Sequence, residues 1–204
     1  MLRRCEDAIV RGSTCNTANR DAAIARAADQ LAQQLSMHCR SVTLEDLGFP
    51  GLCSHHGGSF SVQDLTTCIE DAAESRVDMA IAIEYPNPHE VSHDDATCQK
   101  TIGAAARNFY TTKLKARSHC LDQQLKGNIG SDVNCRAEVP PGTGDPGTDQ
   151  QIAAAAAALS DELHGACDGI TLEDLGFPGM CSDPDGGSFS VDNLDACILS
   201  THES

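Results

Sequence analysis

Eleven cysteines recur at spacings that the chain itself repeats, and the chemistry they offer is covalent cross-linking. Cys5, Cys15, Cys39, Cys53 and Cys68 align with Cys120, Cys135, Cys167, Cys181 and Cys197, and Cys98 has no counterpart. The alignment is anchored by TLEDLGFPGLCSHHGGSFSVQDLTTCI from Thr43, which returns as TLEDLGFPGMCSDPDGGSFSVDNLDACI from Thr171. Of 28 positions aligned from Val42 and Ile170, 20 are identical, far more than shared composition produces. The chain is read as a duplication, and its sulfur chemistry follows from the helices that must carry it.

Residues 94–126 read as one long helix, with Ile102, Phe109, Leu114, Leu121 and Leu125 on one side, cations on the other and Gly127 ending it. Cys98 and Cys120 stand 22 residues apart on it, about 33 Å at the helical rise, so they cannot bond to each other. Residues 149–165, with six consecutive alanines between Ile152 and Leu159, read as a second helix that a partner can approach closely. An antiparallel hairpin of the two puts Cys98 beside Cys167 and Cys120 beside Cys135. Cys181 and Cys197 then close the intervening loop. Carried to the first copy, the scheme pairs Cys5 with Cys15 and Cys53 with Cys68. Cys39 is left unpaired or bonded to another chain, because the helix bearing its partner would lie before Met1.

The remaining elements follow the same periodicity. Residues 18–38 carry Ile24, Ala28, Leu31 and Leu35 at helical steps, and 61–84 read as a bridging helix capped by Ser61 and stopped by Tyr85-Pro86. TLEDLGFPG reads as one helical turn capped by Thr43 or Thr171, then a chain reversal with Phe49 and Phe177 as buried anchors. The Pro-Gly stretch between Val139 and Gly147 reads as a mobile surface insertion in which Thr143 and Thr148 could accept sugars. Strand patterns are scarce. The expected class is all-α, two tandem disulfide-stapled helical repeat modules with short loops, spanning 1–84 and 85–204.

Composition narrows the function. Aromatics make up 3% with no Trp, so alanine, leucine and isoleucine fill thin cores that need covalent staples. Residues 1–97 hold 7 basic and 15 acidic side chains, 98–136 hold 7 and 2, and 137–204 hold 0 and 13. With a net charge of -16, most of the surface repels phosphate, which argues against nucleic acid as a partner. No apolar run reaches the ~20 residues of a membrane span. Matched cysteines point to an extracellular or cell-surface location; residues 1–12 hold no apolar signal core, so export implies a removed signal or a longer precursor.

Other chemistry is thin. Asp183, Asp185 and Asp192 form a hard-oxygen set that could hold Ca2+, though outside the EF-hand pattern. A zinc set of Cys53, His55 and His56 is weaker, because the second copy does not keep those ligands. His38 and His119 each precede a cysteine but do not correspond in the repeat, and no catalytic signature is present. CQKTIG, KLKARSHC, LEDLGFPGxC, a closing CI and the Ala-rich helix resemble the cysteine-rich repeat modules of uncharacterised predicted-secreted bacterial proteins. That resemblance implies export and disulfides and brings no catalytic residues. The expected function is an extracellular, non-enzymatic structural protein whose repeats self-associate head-to-tail into a homo-oligomer or filament. The alternative is a monomeric secreted module that binds calcium or another ligand.

Overall fold

The computed structural model describes residues 2–53, 59–182 and 186–201. These residues form six α-helices and two short 3-10 turns, with no strand among them: α1 (Leu2–Val10), α2 (Thr17–Cys39), a turn at Leu44–Leu47, α3 (Val62–Glu84), α4 (His93–Leu125), α5 (Pro146–Cys167), a turn at Leu172–Leu175 and α6 (Val191–Thr201). The protein is all-α. It divides into two compact units, one of Met1–Cys5 with Thr14–Met79, the other of Glu6–Ser13 with Ala80–Ser204. α3 passes from the first into the second; the sequence placed the boundary at the end of this helix.

In the second unit α4 packs along α5, and α6 closes against α5. The seam on α4 runs through Cys98, Ile102, Ala105, Ala106, Phe109, Lys113, Ala116 and Cys120, all buried. Steps of three and four residues keep that line on one face. Leu114 and Leu125 were expected on this side and are instead 52% and 86% exposed. Five residues beyond Phe109, Leu114 stands about 140° round the helix, and the line is held by small residues rather than the next leucine. Part of the basic face also turns inward. Lys113 is buried with its Nζ 5.6 Å from the Phe109 ring centroid, and it and Arg117 reach Glu138 at 3.8 and 3.5 Å. Of the six consecutive alanines on α5 only Ala155 and Ala156 touch the core.

Helix entries are set by local chemistry. Ser92 and Asp145 accept the N–H groups of Asp95 and Thr148 at 3.2 and 2.9 Å, satisfying donors that the first turn cannot pair internally. Ser61 and Asp64 exchange bonds at the start of α3: the Asp64 N–H donates to Ser61 Oγ at 3.2 Å, and the Ser61 N–H to Asp64 Oδ2 at 2.8 Å. The Pro-Gly stretch is tied rather than loose. Thr143 is buried, and its N–H and hydroxyl donate to Asp149 Oδ1 at 2.7 and 2.8 Å. The Thr148 hydroxyl is likewise buried and donates to Asp145 Oδ2 at 2.7 Å. Neither of these threonines is exposed for a sugar.

The two TLEDLGFPG segments adopt the same local form. Each 3-10 turn ends on a glycine with left-handed backbone, Gly48 at φ 89° and Gly176 at φ 91°, a conformation that a side chain disfavours. The expected threonine caps are absent: neither Thr43 nor Thr171 makes a side-chain cap bond. Glu45 and Glu173 act instead, each accepting a backbone N–H across the loop, from Phe60 and Phe189, at 2.7 Å. Phe49 stacks on Phe60 at 5.8 Å, and Phe177 on Phe189 at 5.9 Å. Phe177 is buried as expected, whereas Phe49 is half-buried.

Candidate functional site

Five disulfides are present, and they join Cys98 to Cys167, Cys120 to Cys135, Cys181 to Cys197, Cys5 to Cys15 and Cys53 to Cys68. The repeat and the hairpin geometry predict the same five pairs. Such a density of bridges belongs to proteins kept outside the reducing cytosol. No described helix is long and apolar enough to cross a membrane. Cys39 is free and half-buried at the last residue of α2.

The surroundings of that thiol differ from those of Cys167, the cysteine aligned with it in the sequence. On α5, Ile152, Leu159, Leu163 and Cys167 are 3%, 2%, 0% and 0% exposed, covered by α4. The residues in register on α2 are Ile24, Leu31, Leu35 and Cys39. No residue of α2 is buried, and Ile24 is 47% exposed. Ala28, Leu31, Leu35 and Cys39 are half-buried, so the amphipathic stripe is formed but only partly covered. Its end is seated where Leu35 and Cys39 pack against a small core of Leu44, Phe60 and Leu65. That core corresponds residue for residue to Leu172, Phe189 and Leu194 in the core around Cys167. Met37 within α2, and Val42 and Leu47 beyond it in sequence, are also exposed.

The polar candidates are less connected. Asp183 and Asp185 of the calcium set, and His55 and His56 of the weaker zinc set, lie outside the described residues. Asp192, the third acid, is exposed with its Oδ1 3.1 Å from His164 Nε2. Among the described residues no three His, Cys, Asp or Glu side chains gather as a metal set. His38 and His119 are both exposed.

Three features had weak signals in the sequence. Asp195, one turn beyond Asp192 on α6, carries a carboxyl that burial pushes above the usual range, partly offset by a hydrogen bond with Ser160 and the nearby His164. One of its oxygens, Oδ1, has no hydrogen-bond partner among the described residues. Asp145 shifts the other way, held low by hydrogen bonds from the Thr148 hydroxyl and N–H. The inward ion group of Lys113, Arg117 and Glu138 could have been sought from Lys113 standing one turn beyond Phe109, on the seam side. Comparison with protein-family models, curated proteins and solved structures finds no match.

Proposed function

We propose that this is a non-enzymatic structural protein of the cell exterior, whose stapled helical units join head-to-tail with further units of their own kind. One observation carries the reading. α2 presents a complete apolar stripe with no buried residue, while the equivalent stripe on α5 is fully covered by a helix. A stripe left half-exposed in this way is an association surface, because covering it removes apolar area from water at no further folding cost. A contact between two different surfaces of a repeated unit propagates rather than closes, unless its rotation happens to form a ring. Tyr110 and Leu114, exposed on the outer side of α4, offer an apolar row for the opposing surface. Around them, exposed Lys100, Arg107 and Lys115 suit the acidic residues of a neighbouring unit.

Sedimentation velocity in non-reducing buffer over a range of concentrations tests this. Species larger than the monomer should grow with concentration, and Leu31→Asp on the stripe should reduce them. A chain that sediments as a single monomer throughout, with Leu31→Asp indistinguishable from it, rules the reading out.

A further inference from the structure

We propose that Cys39 is an anchoring thiol for a helix of the α4 kind supplied from outside these 204 residues, which lies along the α2 stripe and bonds through a cysteine in its opening turns. The inference rests on α2 being a docking face and goes further by stating what docks there and how it is fixed.

The second unit displays the occupied form of the same surface. Cys98, in the opening turns of α4, bonds to Cys167 at the end of α5 with their Cα atoms 4.8 Å apart. From that bond the seam proceeds through Ile102, Ala105, Ala106 and Phe109, over Leu163, Leu159 and Ile152. α2 repeats the receiving side at each of these positions, down to the leucine and phenylalanine packed beneath the cysteine. The matching ligand is thereby specified: an antiparallel helix with a cysteine near its start and apolar or small residues four, seven, eight and eleven positions later. A second folded copy of this chain can offer the outer side of its α4 to the stripe but cannot make this bond. Its Cys98 is fully buried and already bonded, and its α4 seam is covered by its own α5. The occupant is a helix whose cysteine is unpaired or held by a small thiol.

The bond forms by thiol–disulfide exchange. The Cys39 thiolate attacks the sulfur of a partner cysteine held as a mixed disulfide with a low-molecular-weight thiol. The new S–S bond forms as the old one breaks, the small thiol leaves with the electron pair, and it takes up the proton that Cys39 released. The small disulfide that first loaded the partner is the oxidant, so no further redox reagent is needed.

The test uses the full chain and a synthetic peptide of residues 93–117, its Cys98 loaded as a glutathione mixed disulfide. The adduct should map to Cys39 by mass spectrometry, be absent in Cys39→Ser, and form about tenfold or more faster than with a scrambled peptide bearing the same mixed disulfide, since docking raises the effective thiol concentration. Leu35→Asp keeps the thiol and should lose that advantage. Equal rates for the two peptides would reduce Cys39 to an ordinary accessible thiol and overturn the proposal, as would the absence of any adduct. A Cys98→Ser peptide, titrated and followed by its gain in helicity, separates the two readings. Binding without capture removes the bond and keeps the docking face; no binding removes the docking face as well.

Discussion

Glu173 shows how much one side chain does in this fold. Its Oε1 accepts the Phe189 N–H at 2.7 Å, fixing the loop so that Phe189 stacks on Phe177 beneath the Cys181 bridge. Glu173→Ala leaves that N–H without its carboxylate, and a charge-assisted bond of this kind contributes about 1.5–3 kcal/mol. Urea unfolding should register a loss of that size. Gly103 is constrained by close approach: a Cβ there would stand 2.5 Å from the hydroxyl oxygen of Tyr85, whose ring is buried and whose hydroxyl donates to Asp7 Oδ1 at 2.6 Å. Gly103→Ala should destabilise by about 1–3 kcal/mol despite alanine's better helix propensity. Asp195 supplies a pH dependence with a definite sign. Its folded pKa is raised, chiefly by burial, so the group disfavours folding once it ionises, and stability falls as pH rises from the unfolded pKa through the folded one. Asp195→Asn should therefore melt higher than wild type at about pH 7, and the difference should vanish near pH 3, where both states of wild type are protonated. Asp145 runs oppositely: its folded pKa is lowered, so its contribution is present above the unfolded pKa and is lost as pH falls through the folded one.

At the scale of helices, α2 and α5 form a built-in comparison. Leu163→Ala removes a side chain with no exposed surface and should cost about 2–5 kcal/mol by denaturant titration. Leu35→Ala, at the matching position on a helix without buried residues, should cost well under that, and a similar loss at the two sites would mean that α2 is covered after all. The helices and the sulfur map were legible beforehand because apolar steps of three and four, Gly and Pro stops, and duplicated cysteine spacing are local or self-comparing signals. The seam of α4 was less so. Ala105, Ala106 and Ala116 line it, and alanine has too little side chain to mark a face, so Leu114 and Leu125 were drawn onto the wrong side. Lys113 was hidden for the opposite reason: a cation reads as surface until Phe109 and Glu138 are seen beside it. The loop carboxylates of Glu45 and Glu173 reach N–H groups 15 and 16 residues away, a distance that no capping pattern encodes.

For the molecule as a whole, the bridges replace core volume that the composition cannot provide. In the chain-entropy model a closed loop of 15 residues, such as that between Cys120 and Cys135, contributes about 3 kcal/mol, and the 69-residue separation of Cys98 and Cys167 about 4 kcal/mol. Thermal unfolding of the two double-alanine variants should rank them in that order, and the order should invert if strain or packing at these sites outweighs loop entropy. The long bridge has a further effect on wear. A protease that severs the main chain anywhere between Cys98 and Cys167 releases nothing, because the two pieces stay tied by sulfur and by the pairing of α4 with α5. Nicked material would migrate as intact protein on a denaturing gel and come apart only when a reductant is added, so damage in use would accumulate silently without shedding fragments.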